Sequence, residues 1–237
     1  MSFKRLKLIF VSTPIGSVGS GKGGGVELTL ISLIKGLISL GHEITLIVPL
    51  GSEIPFESEQ VEIKFVSGSD QPSWQHQNFN SPIVLPINGL MQNMCSKAIQ
   101  LSPGHDAILN FAYDWLPLWL SSNLSFPIFN LISMSGEALA MKNIICETSK
   151  KQNNRLAFHT RSQASDYTLS EDPVIVGNGF DLQNYDFCPS GGGPLGWAGR
   201  IAPEKGLEDA VNAAIRIGDQ LLVWGIIEDS DYAKKIE

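Results

Sequence analysis

LKLIFV at residues 6–11, GSVGSGKGGG at 16–25, VELTLISLIKGLISL at 26–40 and ITLIV at 44–48 follow one another near the start of the chain. The first run is almost wholly apolar, with Lys4 and Arg5 before it and Ser12-Thr13-Pro14 after it. Such a run, bounded by charge and turn residues, is how a strand buried on both faces of a parallel sheet reads. In the third run Leu30, Ile34, Leu37 and Ile38 share one helical face, and Gly41 stands where a helix C-cap belongs. Pro49 stops the last run. Strand, glycine-dense loop, helix and strand make a βαβ unit, for which a right-handed crossover is expected.

Working outward, the same patterning predicts strands over 61–66, 107–111, 128–132, 155–158 and 173–176, with helices over 90–101, 116–121 and 137–149. A polar loop at 68–82 carries Trp74 and His76. Residues 181–194, with Gly191-Gly192-Gly193, read as a linker. Beyond it the rhythm resumes: a strand at 195–198, a helix at 207–217, a strand at 220–224 and the start of another helix. The expectation is an α/β chain with a Rossmann-like domain over 1–170 and a second over 171–237. Only two strands can be read in the second, where a doubly wound domain needs about five or six. It is therefore expected to be an incomplete, truncated domain.

Composition bounds the function. The 237 residues are 43% hydrophobic, enough for a sizeable core, which excludes disorder and collagen. Seventeen Lys and Arg against 24 Asp and Glu leave a charge of −7, which speaks against broad nucleic-acid binding. Lys4, Arg5 and Lys7 read as the solvated entrance to the first strand rather than as a basic patch. No uncharged apolar stretch approaches the ~18 residues of a membrane span, and the N-terminus lacks a signal peptide's long apolar core. Cys95, Cys146 and Cys188 are odd in number and widely spaced, as in a cytoplasmic protein with reduced thiols and no metal site.

Two phosphate-binding motifs are nearly met. Gly16 to Lys22 satisfies G-x-x-x-x-G-K, but Gly23 stands where a hydroxyl must bind magnesium. Gly19, Gly21 and Gly24 spell G-x-G-x-x-G, but the second strand ends at Val48-Pro49 and Glu53 arrives late for a ribose. What remains is a loop whose glycines, Gly23, Gly24 and Gly25 among them, let backbone approach an anion at a helix N-terminus. A plain surface loop is the other reading.

VIVGNGFDLQNYDF at 174–187, with Asn178 and Gly179, resembles the NG-V-D-x-x-x-F segment of glycosyltransferase family 4. GWAGRIAPEKGL at 196–207 resembles that family's G-R-x-x-x-x-K-G signature. Gly23-Gly24-Gly25-Val26-Glu27 is similar to its glycine-rich helix entry, and His105-Asp106 with Asp114-Trp115-Leu116-Pro117-Leu118 to its strand and DWLPL stretch. These fall in the family's order across nearly the whole chain. The resemblance implies a GT-B architecture and transfer of a hexose from a nucleotide sugar with retention, without a cofactor or bound metal. The acceptor would lie mainly on the first domain and the donor on the second.

Negative charge grows on the leaving diphosphate, so fixed cations must meet it. By the resemblance Arg200 forks onto phosphate oxygens, Lys205 adds a point charge, and Gly199 lets backbone approach. Glu204 would favour the helix dipole or orient Lys205; on spacing alone Arg200 and Lys205 also read as ordinary exposed charges. Glu27, Asp114, Trp115, Ser133, Ser135, Asn178 and Gly179 are the implied acceptor or cleft residues. Many relatives carry a His where this chain has Ser133-Met134-Ser135, and His159 reads as a satisfied histidine on or beside a strand, so no catalytic residue is assigned.

Within the family, residues 10–29 are similar to the cyanobacterial-type UDP-glucose:tetrahydrobiopterin glucosyltransferases. That implies UDP-glucose as donor and a reduced pterin as small-molecule acceptor. Trp74, Tyr113, Trp115 and Trp119 could stack on a flat heterocycle, or serve as core and rim aromatics. The alternative from another class is a truncated, non-catalytic remnant acting as a binding module.

Overall fold

The computed structural model describes residues 4–22, 24–135, 137–182 and 185–236. The chain divides into two compact units, residues 1–182 and 183–237.

The first unit holds one seven-stranded sheet, in the order β3-β2-β1-β4-β5-β6-β7. Its strands are β1 (Lys7–Val11), β2 (Glu43–Pro49), β3 (Val61–Val66), β4 (Ala107–Asn110), β5 (Ile128–Ile132), β6 (Leu156–Phe158) and β7 (Val174–Ile175). Every neighbouring pair is parallel. Parallel neighbours need crossovers, and these carry α1 (Gly24–Ser39), α2 (Leu90–Leu101), α3 (Trp115–Asn123), α4 (Leu139–Gln152) and the single turn α5 (Arg161–Ala164).

Burial on both faces explains the continuous apolar runs. On one face Leu8, Phe10, Ile44, Leu46 and Val48 pack with Leu30 and Ile34 of α1. On the other, Ile9, Val11, Ile47 and Ile108 pack with Met91 and Met94 of α2. Further along that face Ile132 and Phe158 meet Leu118 of α3 with Met141 and Ile145 of α4. The basic cluster at the strand entrances is ion-paired: Lys4 to Asp106 at 2.8 Å, Arg5 to Glu43 at 2.6 Å and Lys7 to Glu43 at 3.1 Å.

The division between units falls after residue 182, beyond the boundary at 170 read from the sequence. The reason is β7, whose Val174 and Ile175 pair with Ala157 and Phe158 of β6 and so extend the first sheet. The second unit has β8 (Leu195–Ala198) parallel to β9 (Leu221–Trp224), with α6 (Leu207–Ile217) between them and α7 (Ser230–Ile236) after them. Gly206 and Gly218, both left-handed, bracket α6.

Candidate functional site

In an open parallel sheet, ligands bind outside the carboxyl ends of the strands where the strand order reverses. Here β1 stands at that reversal, with β2 on one side and β4 on the other. Glu27 follows β1, Asp114 and Trp115 follow β4, Ser133 and Ser135 follow β5, and Asn178 and Gly179 follow β7. The topology thus brings these candidate residues to one edge of one sheet. Gly23 lies outside the described residues. Gly24 and Gly25 form the first turn of α1 rather than loop.

The glycine loop is held by its neighbours. Val18 N–H donates to Ser52 Oγ at 3.0 Å, and Glu53 N–H donates to the Val18 carbonyl at 2.8 Å. Glu27 turns its carboxylate onto Gly19 N–H, so it fixes the loop. Gly19 has φ +91°, and a Cβ there would meet the Glu53 backbone at 3.1 Å. The late-arriving acid of the dinucleotide reading is therefore a wall of the loop. The N–H groups of Val18, Gly19, Ser20 and Gly24 are used internally.

Asp114 is buried and caps α3, accepting from Leu116 N–H at 2.9 Å through Oδ1. Its Oδ2 accepts from Gln71 Nε2 and from Trp74 Nε1 at 3.3 Å, tying the polar loop to the helix. Burial raises its pKa against the lowering effect of these donors. Trp74 is 7% exposed and belongs to the core, so it is withdrawn from the stacking candidates. Trp115 and Trp119 stack on each other at 6.0 Å with planes 17° apart, Trp119 exposed.

A chain of hydrogen bonds joins the ends of β4, β5, β6 and β7. Tyr167 donates to the Met134 carbonyl at 2.7 Å, which leaves Tyr113 as donor in the 3.0 Å contact between the two hydroxyls. Gln163 Nε2 donates to the Ile132 carbonyl at 2.9 Å, while its Oε1 accepts from His159 N–H at 3.0 Å. The His159 ring is 3.0 Å from the Gly177 carbonyl, which can only accept, so Nδ1 carries the proton. His159 is thus a satisfied histidine that pins the backbone before Asn178. Burial pushes the Tyr113 hydroxyl up to about 12 and raises Tyr167 too, so both remain neutral donors at ordinary pH. Ser133 is half-buried, and Ser135, Asn178 and Gly179 are exposed. Gln163 and Tyr167 were missed in the sequence. Thr160 and Gln163 do have capping-box spacing, with Thr160 Oγ1 accepting from Gln163 N–H at 3.1 Å.

In the second unit the loops after β8 and β9 run side by side. Gly199 N–H donates to the Trp224 carbonyl at 2.9 Å and Ile201 N–H to the Ile226 carbonyl at 2.9 Å. A Cβ on Gly225 would lie 1.6 Å from the Gly199 carbonyl oxygen, so backbone meets backbone there. Arg200 Nη2 donates to Glu204 Oε1 at 3.2 Å, and Nη1 donates to Glu228. Glu204 therefore meets Arg200 rather than Lys205. Lys205 closes the short turn Pro203–Lys205, is exposed, and has no ion-pair partner among the described residues. Gly199, Arg200 and Lys205 thus share one loop. No cluster of side chains suited to a metal occurs among the described residues, and no helix there is long and apolar enough to cross a membrane.

No family model matches the chain, and no curated protein matches it. Among solved structures it is similar to an alpha-glucosyltransferase in complex with UDP-glucose and DNA containing an abasic site. That likeness has 12% identity and a TM-score of 0.50, over 98% of this chain and 59% of that one. An Arabidopsis thaliana protein complexed with UDP-L-rhamnose gives 12% identity and a TM-score of 0.47, over 99% of this chain and 68% of that one. A glycotransferase of kitacinnamycin gives 14% and 0.40, over 93% and 65%. The chain thus spans less than two thirds of the length of the alpha-glucosyltransferase. That likeness shows the fold: α/β, Rossmann-like, of the GT-B type. Because that protein is held with DNA, the fold does not exclude a nucleic acid, and the opposite expectation rests on this chain's charge of −7 alone.

Proposed function

We propose that this chain is a glycosyltransferase of the family 4 type. In this reading it moves glucose from UDP-glucose to a small acceptor, a reduced pterin of the tetrahydrobiopterin type, with retention and without a metal. The observation that carries it is the loop after β8, where Arg200 and Lys205 stand seven and two residues before the start of α6, with the left-handed Gly206 between Lys205 and the helix. A guanidinium fork and an ammonium on one loop can meet both phosphates of a departing nucleoside diphosphate. A protein of like fold holds UDP-glucose, which supports the donor class. The acceptor would lie at the carboxyl edge of the first sheet, where the Trp115–Trp119 pair offers an aromatic surface beside the capping Asp114.

The test is calorimetric titration of UDP and UDP-glucose into the full chain in EDTA, beside Arg200→Ala and Lys205→Ala. Loss of charge-assisted hydrogen bonds should weaken binding roughly tenfold to a hundredfold in Arg200→Ala, and less in Lys205→Ala. Unchanged affinity in both variants would overturn the donor site. Incubation with UDP-glucose and tetrahydrobiopterin, followed by mass spectrometry, tests the acceptor. Binding with no glucosylated pterin would remove it and leave a nucleotide-binding module.

A further inference from the structure

We propose that Glu228 sets the affinity of the diphosphate site by occupying Arg200 until an anion displaces it. The proposal rests on the reading of Arg200 as a diphosphate ligand and adds a residue that no resemblance in the sequence assigns.

Backbone pairing brings Glu228 there. Ile201 and Ile227 form a parallel bridge, and Glu228 N–H and Asp229 N–H both donate to the Ile201 carbonyl, at 3.2 and 3.1 Å. Next to this bridge, Gly225 packs backbone against the Gly199 carbonyl. Glu228 is thereby held across from Arg200 although they are 28 residues apart.

The chemistry of the contact is competition. The two terminal nitrogens of Arg200 face two different carboxylates, Glu228 on Nη1 and Glu204 on Nη2. Those nitrogens form one edge of the fork that grips a phosphate through two parallel N–H···O bonds. Both carboxylates lie on Arg200, so an arriving diphosphate must compete with them for its terminal nitrogens. Glu204 lies four residues along the same loop as Arg200. Glu228 comes from another loop and can swing away. The Arg200 and Glu228 side chains are 28% and 30% exposed, so the pair is partly shielded from solvent screening and its release opposes binding. Glu228 touches no substrate in this scheme and acts through Arg200 as a positioning residue.

The experiment is UDP titration at two ionic strengths into the full chain and into Glu228→Gln, Glu228→Ala, Glu228→Asp, Arg200→Ala and Glu228→Gln/Arg200→Ala, each checked by thermal unfolding. Removing the charge should tighten UDP binding roughly three- to tenfold in Glu228→Gln and Glu228→Ala and steepen its salt dependence, while Glu228→Asp stays near wild type. The gain should vanish in the double variant. A merely structural Glu228 would give weaker binding on substitution. If Arg200→Ala weakens binding but Glu228→Gln and Glu228→Ala do not tighten it, the competition is overturned and the diphosphate reading stands. If Arg200→Ala binds like wild type, or no chain binds UDP, the diphosphate reading fails and the proposal falls with it.

Discussion

β2 and β9 are both parallel strands, yet they live in different surroundings. β2 lies between β1 and β3 and buries six of its seven residues. β9 pairs with β8 in a sheet of two strands among the described residues and buries none of its residues fully. The polar groups differ in the same sense. Asp114, Gln163, Tyr113 and Tyr167 spend their hydrogen bonds inside the first unit, while Arg200 and Lys205 stand on a partly exposed loop of the second. The first unit is organised around packing, with its candidate residues at the carboxyl edge of its sheet. The second presents its charged residues on little packing of its own.

Core truncation tests that contrast hardest. Phe10 is fully buried and packs on Phe111 with ring centroids 5.2 Å apart. Phe10→Ala should destabilise the first unit by about 3–5 kcal/mol. Val223 of β9 is 40% exposed, and Val223→Ala should cost less than about 1 kcal/mol. Urea unfolding of both variants checks this; equal losses would break the comparison.

Gly225→Ala attacks the second unit where it is tight. The added methyl would meet the Gly199 carbonyl, so the loops after β8 and β9 must separate. Overpacking of this kind costs about 1–3 kcal/mol. Hydrogen exchange at Gly199 and Ile201, whose N–H groups bond across those loops, should speed up while that of β1 and β2 stays unchanged. Protected Gly199 and Ile201 amides in the variant would show that the loops take up the methyl without separating.

What could be read in advance follows from this division. Strands at 61–66, 128–132 and 195–198 and helices at 90–101 and 207–217 lie at the residues their patterning predicts, because periodicity is local and burial enforces it. The carboxyl-edge placement of Asp114, Ser133 and Asn178 was legible once the strands were, since each follows a strand. Hydrogen-bond partners were not. Tyr113 and Tyr167 are 54 residues apart, and no local rule pairs them. Asp114 is a cleft residue by the resemblance alone; its donors Gln71 and Trp74 come from a loop some 40 residues away that no local pattern pairs with it.

Asp114→Asn sharpens the electrostatic side. The amide keeps one oxygen for Leu116 N–H but turns an NH2 toward Gln71 and Trp74, at about 1–3 kcal/mol. Burial raises the Asp114 pKa above its ordinary 3.8, so just above that value the native state holds a proton that the unfolded state has released. Wild-type stability from this group therefore falls as pH rises through that window and is level beyond it. The variant lacks this slope, so its deficit should be larger on the acid side of the window than at neutral pH. Denaturation midpoints at stepped pH measure it; parallel curves would mean that Asp114 does not titrate with folding.

The smallest effect has the opposite sign. Gly36 lies inside α1, its φ is outside the left-handed region, and a Cβ there would meet nothing within 4 Å. Glycine in a helix interior leaves the unfolded chain more freedom than alanine does, so Gly36→Ala should stabilise by about 0.5–1 kcal/mol. Set beside Gly225→Ala, it separates two uses of the same residue. At Gly225 the missing side chain admits another backbone; at Gly36 the space is open and only chain entropy is at stake. A raised urea midpoint with unchanged UDP binding is the expected result. A lowered midpoint would mean that the exposed face of α1 is covered by something a methyl group disturbs.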